Sequence, residues 1–257
     1  MKNDYCILLF AYNRPSHLKR VIISLENYRE KNIYVILDGP RISSDRTIQS
    51  DIKKIVYGKN KIRLNLIENK KNLGLAQSIN KNLDYFAKKF KNLIILEDDC
   101  IPRKEFFRYI KKAIEISKND NSVAGICGYQ LPHLHQKKGG LLKIYKLKHF
   151  IPWGWSIKSK EWVNYRRKYK IFFTKKNIEN LSNNLKKILK KTKKNKKNIW
   201  SKDFILFNYK IGKYFLFPSK SLVKNIGFDG TGVNSKITNI FYTKYFQSKK
   251  ISDKIYM

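Results

Sequence analysis

Three of the few acidic side chains in this sequence stand in a row. The segment LIILEDDCIP, residues 93–102, runs four apolar residues straight into Glu97, Asp98 and Asp99. The chain as a whole carries 56 Lys and Arg against 19 Asp and Glu. Adjacent carboxylates at the end of an apolar strand repel one another and lose solvation, which costs free energy unless something positive sits among them. Two arrangements meet that demand: a turn in which the acids face water, and a cation site. Mg²⁺ and Mn²⁺ take carboxylate oxygens, often only one or two from the protein, with substrate phosphates completing the shell. Side chains alternate along an extended chain, so Glu97 and Asp99 are expected on one side and Asp98 on the other. These residues alone leave both arrangements open.

The elements that would position them alternate in type. YCILLFAY (5–12), NIYVILDG (32–39), KIRLNLIEN (61–69) and NLIILEDD (92–99) have the length and character of strands. Helical spacing follows each in RPSHLKRVIISLENY (14–28), TIQSDIKKIVYG (47–58), GLAQSINKNLDYFAKKF (74–90) and KEFFRYIKKAIEISKND (104–120). This alternation predicts an α/β fold of βαβ units, with a mostly parallel central sheet covered by helices on both faces. Ligands of such sheets sit beyond the carboxyl ends of the strands, which places Tyr12, Asn13, Asp38 and the three acids on one rim. The second half is less regular. It reads as a strand within 122–132, an extended segment turning into a helix over 139–162, and an amphipathic helix running into lysines over 177–200. A helix over 200–212 and a strand with a glycine-rich tail over 214–235 follow, and the last twenty residues show no pattern. No repeat or linker divides the chain, so one domain over 1–257 is expected.

With 42% hydrophobic and 14% aromatic residues the protein is globular. Its net charge of +37 has three readings: phosphate neutralisation on nucleic acid, attraction to an anionic membrane, or a Lys-, Asn- and Ile-rich composition throughout. Lysines are spread along the chain and no nucleic-acid signature accompanies them, so no nucleic-acid partner is expected. The run LKKILKKTKKNKKNIW (185–200) sets Leu185, Ile188 and Leu189 on one face. It reads either as a helix lying on an anionic bilayer or as a solvated surface helix. Cys6, Cys100 and Cys127 are too scattered for a disulfide framework or a zinc pattern, and a reducing compartment fits. No apolar stretch approaches the roughly 20 residues of a membrane span, and the N-terminus lacks the shape of a signal peptide. The expected location is cytoplasmic, at most peripheral at the inner face of the plasma membrane.

FAYNRPSHLKRVIISL, VILDGP, NKKNLGLAQSIN and ILEDDCIP, in this order and spacing, resemble the nucleotide-sugar half of GT-A glycosyltransferases. The likeness is to family 2-type bacterial enzymes and, through Glu-Asp-Asp, to the N-acetylglucosaminyltransferase I type. It covers about residues 4 to 105, and PWGWSIKSKEW and WSKDF extend it more loosely, as in bacterial polysaccharide and lipooligosaccharide transferases. The resemblance implies a three-layer, Rossmann-like domain with a nucleotide-sugar-binding half at 1–120 and an acceptor-binding half at 121–257. It implies transfer of a hexosyl or N-acetylhexosaminyl group from a UDP-sugar to a glycan or lipid-linked acceptor, with inversion and with Mn²⁺ or Mg²⁺.

Residue by residue, the resemblance gives Ala11, Tyr12, Asn13 and Arg14 to the nucleotide, with Arg14 towards the phosphates. Asp38 would accept hydrogen bonds from the base. Lys71 and Asn72 would precede a helix whose N–H groups face the nucleotide, with Gly74 letting backbone come close. Glu97 and Asp98 would serve the ribose and donor sugar, Asp99 the metal, and Asp203 the acceptor hydroxyl as general base. Aromatic faces stack on the apolar faces of sugar rings, so of Trp153 and Trp155, the acceptor-binding candidates, one is expected to line the acceptor site. Each has an ordinary alternative: a helix start at Asn13–Pro15, a turn at Asp38–Pro40, a capping Asn72, a helix-start Asp203, and tryptophans packed in the core. One departure stands out. Asn234 occupies the place where related sequences often carry a metal-reaching His, and it is a poorer ligand. A nucleotidyltransferase would share the sheet but would show a glycine-rich loop after the first strand, which FAYNRPSH lacks. A basic nucleic-acid-binding protein would have no use for an acidic strand tip.

Overall fold

The computed structural model describes residues 3–28, 30–135, 140–172, 200–232, 237–244, 248 and 250–257. Nearly all of the expected amphipathic helix at 177–200, with the lysine run at 185–200, lies outside them, as does Asn234. The first half is the alternating unit that the sequence predicts. Strands β1 (Asn3–Ala11), β2 (Ile33–Leu37), β3 (Leu64–Glu68) and β4 (Phe90–Glu97) are joined by helices α1 (Pro15–Leu25), α2 (Ser43–Tyr57) and α3 (Gly74–Phe86). They lie parallel in the order β4-β1-β2-β3. β1, β2 and β4 read as nearly unbroken apolar runs because helices cover both faces of the sheet. The register sets Phe10 opposite Glu97 and Ala11 opposite Leu37, so the loops after β1, β2 and β4 leave the sheet side by side.

The chain turns at Asp98–Asp99 and continues as a short strand, β5 (Cys100–Pro102), followed by α4 (Phe106–Ile116). The remaining described elements are β6 (Val123–Cys127), β7 (Leu141–Leu147), β8 (Trp155–Lys158), α5 (Ser159–Phe172), α6 (Trp200–Lys210), β9 (Tyr214–Pro218), β10 (Val223–Asn225) and β11 (Lys250–Tyr256). Among the described residues one sheet runs β11-β7-β9-β6-β8-β4-β1-β2-β3. β8 is antiparallel to both β4 and β6, β7 is antiparallel to β9, and the other neighbours are parallel. This mixed, mostly parallel sheet is of the GT-A class. β11 falls where the sequence shows no pattern. It is an edge strand whose pairing with β7 shifts register between Ile251 and Ile255, which breaks the alternation that would reveal it.

Two local features carry the second half up to the rim. β10 pairs antiparallel with β5, setting Asn225 opposite Cys100, and Ile226 N–H donates to the Asp99 carbonyl at 2.8 Å. Residues 227–232 are thereby laid across the acids. Gly154 adopts φ 62°, and a Cβ there would lie 2.5 Å from Val223 Cγ2; only glycine makes this turn cheaply. The turn sends its two flanking tryptophans to different places. Trp155 is fully buried, with Phe150 and Phe204 ring centroids at 4.9 and 5.9 Å. The expectation that Trp155 offers a face to an acceptor sugar is therefore corrected, because β8 lies inside the sheet and its first residue packs in the core. Trp153 goes to the rim.

Candidate active site

The β1–α1 loop is held in place by α2. Asp45, in the first turn of that helix, accepts from the Tyr12 hydroxyl and from the Arg41 and Ile42 N–H groups at 2.8 and 3.1 Å. Gln49 donates to the Asp38 and Tyr12 carbonyls at 2.9 and 3.4 Å. The Arg41 guanidinium stands 5.8 Å from the centroid of the Tyr12 ring, a cation over an aromatic face.

Asp38, just after β2, is buried and both of its carboxylate oxygens accept hydrogen bonds. Oδ1 accepts from Gly39 N–H at 3.0 Å, Asn69 Nδ2 at 3.2 Å and Leu73 N–H at 3.0 Å, and Oδ2 accepts from Gly74 N–H at 2.8 Å. A carboxylate from another element thus caps α3, where unpaired N–H groups and the helix dipole favour negative charge. This corrects two expectations. Leu73 and Gly74 do not turn their N–H groups towards a ligand, and Asn72 is not the cap: its Nδ2 donates to the Gly39 carbonyl at 2.8 Å. Gly39 is obligatory, since a Cβ there would meet the Lys71 carbonyl carbon at 2.3 Å. Gly74 adopts φ 70° at the mouth of the cavity, with open space where a Cβ would point.

At the end of β4 a positive charge does sit among the acids, and it is Arg14. Its Nη2 donates to Asp98 Oδ1 and, at 3.0 Å, to Asp99 Oδ2. The alternation expected of an extended chain fails here because the chain turns at Asp98–Asp99, bringing both carboxylates to one guanidinium. The Cys100 thiol, pushed up by burial and then by Asp99 and Glu97, stays protonated and donates to Asp99 Oδ1 at 3.3 Å.

One guanidinium does not balance three carboxylates. Burial pushes Asp98 up to about 6 even though Arg14 pulls the other way, and Asp99 adds to the rise. Glu97 is held well above the ordinary carboxylate range, first by desolvation and then by Asp99 and Asp98. The site therefore has a deficit of positive charge. Its donors are hard oxygens, and Gly227 leaves the cradle open, since a Cβ there would lie 2.2 Å from Asp99 Oδ2. Among the described residues no three His, Cys, Asp or Glu side chains converge on one point. A divalent ion would fit with one or two carboxylates, the remainder of its shell coming from phosphate and water.

These groups line one cavity of about 400 Å³. Its floor holds Ala11, Tyr12, Asn13, Arg14, Asp38, Asn72, Gly74 and the three acids, and its wall holds Trp153, Gly227 and Phe228. Trp153 meets Tyr129, Phe228 and Phe241 edge-on at 4.7, 5.3 and 5.2 Å. His17 Nε2, at the start of α1, lies 3.0 Å from Asp229 Oδ2. Of the expected residues, Lys71 is exposed and does not line the cavity, nor does Trp155. Asp203 stands in the first turn of α6, half-buried and also outside the lining. Arg41 and Phe228 were not foreseen. Phe228 lies in the glycine-rich tail, whose proximity to the acids depends on the β5–β10 pairing between segments far apart in sequence.

Residues 6–173, well over half of the chain, match the family model of glycosyl transferase family 2. The chain belongs to that family. Among solved structures, the mannosyltransferase PcManGT from Pyrobaculum calidifontis, in complex with GDP-Man and Mn²⁺, is similar at a TM-score of 0.43 and 13% identity, over 62% of this chain and 45% of that one. S. aureus TarS is similar at a TM-score of 0.40 and 12% identity, over 61% of this chain and 28% of that one. This chain thus spans less than half the length of either structure. No curated protein matches it in sequence.

Two predictions follow from the charges. A carboxyl whose folded pKa lies above its unfolded value stabilises the fold below the ordinary carboxylate range and loses that contribution as pH rises through the folded pKa. Glu97→Gln should therefore raise the melting temperature of the ligand-free protein at pH 7, by about 2–4 °C per kcal/mol regained. The gain over the wild type should shrink towards pH 4. Calorimetry across this range checks it, and a lower melting temperature for the variant at pH 7 would refute it. Asp38→Ala, which orphans the start of α3, should cost roughly 3 kcal/mol in urea unfolding; an unchanged midpoint would show that Asp38 is not the cap.

Proposed function

We propose that this protein transfers a sugar from a nucleotide-sugar donor to a hydroxyl of a glycan or lipid-linked acceptor, with the donor diphosphate lying over Arg14 and Asp99. The observation that carries this is the meeting of Asp98 and Asp99 on the Arg14 guanidinium, with Glu97 beside them, on the floor of a cavity at the tips of the parallel strands. Family membership supports the reaction class. The part of the chain up to about residue 120 supplies the donor side and the remainder the acceptor side, of which Trp153 and Phe228 are the aromatic wall. Aromatic faces of this kind suit the apolar face of a sugar ring.

Asp99, with Asp98 beside it, would hold Mn²⁺ or Mg²⁺, and when bound the ion neutralises charge on the departing diphosphate. Arg14 orients the phosphates through its planar fork. Tyr12, Asn13 and Arg41 form the nucleoside end, where uridine is the proposed base. Glu97, with its raised pKa, can keep a proton and donate a hydrogen bond to a sugar or ribose oxygen. Asp38 acts from behind, fixing the start of α3. Asp203 is the proposed base that takes the proton of the acceptor hydroxyl, an assignment supported by its place in WSKDF; the displacement then proceeds with inversion. Bacterial surface polysaccharide or lipooligosaccharide synthesis is the proposed setting. No helix among the described residues is long and apolar enough to cross a membrane, and a peripheral position at an anionic membrane surface is proposed from the lysine run.

A panel of nucleotide sugars, assayed for metal-dependent hydrolysis and transfer, tests the reaction class. Asp99→Asn should abolish metal-dependent donor binding in calorimetry. Asp203→Asn should leave donor affinity unchanged and lower kcat by about 10²–10⁴-fold. If Asp99→Asn binds donor and metal as the wild type does, the site assignment is wrong; a product of retained anomeric configuration would exclude a single displacement.

A further inference from the structure

Arg14 and a divalent ion would compete for the same atom. Asp99 has two oxygens, and Oδ1 already accepts from the Cys100 thiol at 3.3 Å. Oδ2 faces Gly227 and accepts from Arg14 Nη2 at 3.0 Å. The same nitrogen also holds Asp98. The ion pair is well shielded, with the side chains of Arg14, Asp98 and Asp99 only 18%, 5% and 13% exposed. Salt and water therefore screen it weakly. Two cations sharing Oδ2 at bonding distance would repel each other strongly in so shielded a place, so each weakens the other's hold on it.

We propose that Arg14 is an internal counter-ion that gates metal binding: it holds Asp98 and Asp99 in the nucleotide-free protein and passes to the diphosphate when nucleotide binds, releasing Asp99 Oδ2 to the divalent ion. This inference rests on the metal–diphosphate reading above and deepens it. The exchange needs little backbone movement. Arg14 is the residue immediately before α1, whose first position is Pro15, and its side chain already lines the cavity. A diphosphate offers the guanidinium two or more anionic oxygens in the planar geometry it prefers. The consequence is positive coupling: the ion binds weakly alone and tightly with a nucleoside diphosphate, and by linkage each ligand strengthens the other equally. In such a site free metal does not occupy the acids ahead of the donor, and the bare carboxylates keep a partner between turnovers.

The test is a set of Mn²⁺ titrations, by calorimetry and by the electron paramagnetic resonance of the free ion, on wild type and Arg14→Gln. Each is performed with Mn²⁺ alone and with UDP or GDP present, corrected for Mn²⁺ binding by the free nucleotide. Wild type should bind Mn²⁺ alone weakly and about ten-fold or more tighter with the nucleotide. Arg14→Gln should bind Mn²⁺ alone about ten-fold more tightly than wild type, and the further tightening by nucleotide, now through phosphate ligation alone, should be smaller than in wild type. Should Arg14→Gln fail to fold, Arg14→Lys serves, because a point charge grips one carboxylate rather than two; its affinity for Mn²⁺ alone should also exceed that of wild type. A folded variant that binds Mn²⁺ alone no better than wild type overturns the gate while leaving the metal–diphosphate site standing. If wild type binds no Mn²⁺ even with either nucleotide, that site fails and the gate with it.

Discussion

Carboxylates crowded at the carboxyl end of β4 repel one another where little water reaches them, and much of the molecule is arranged around that repulsion. Arg14 relieves part of it from the neighbouring strand's loop, the Cys100 thiol relieves a little more, and the pKa of Glu97 is pushed well above the ordinary carboxylate range by burial and by what remains. Neutral residues in place of these acids and Arg14 together would avoid that repulsion. Their retention at the floor of the cavity is what a site for a cation and an anionic ligand requires, and it places the cost where function would recover it.

The same rim solves a second electrostatic problem in the opposite sense. The start of α3 presents unpaired N–H groups, and Asp38 satisfies them from the end of β2. The tip of β2 therefore uses its carboxylate to lock a helix, while the tip of β4 leaves its carboxylates partly uncompensated. α2 ties both together, since Gln49 bonds the Asp38 and Tyr12 carbonyls and Asp45 the Tyr12 hydroxyl. The loop that carries Arg14 is thus positioned by a helix that contributes no group of its own to the acids.

The βαβ half was legible in the sequence because strands buried on both faces appear as apolar runs and the helices between them keep their period. The rim was legible for the same reason: parallel strands collect their carboxyl ends on one side. What pairs with what on that rim was not. Asp38 finds Leu73 and Gly74, and Arg14 finds Asp98 and Asp99, across loops of tens of residues, and nothing local encodes those meetings. The different fates of Trp153 and Trp155 depend on one left-handed glycine between them. β11 was hidden by its bulge, and Phe228 by a two-strand pairing that only the tertiary structure supplies.

The central claim is that the acids at the β4 tip complete their charge balance with a divalent ion and a diphosphate. Diffraction from crystals grown with UDP or GDP and Mn²⁺, measured at the manganese absorption edge, tests it most directly. The account predicts an anomalous peak within bonding distance of the Asp99 carboxylate, shared with the diphosphate oxygens inside the cavity lined by Trp153 and Gly227. Ordered nucleotide with no peak at Asp99, or a peak bound by other side chains, would contradict it.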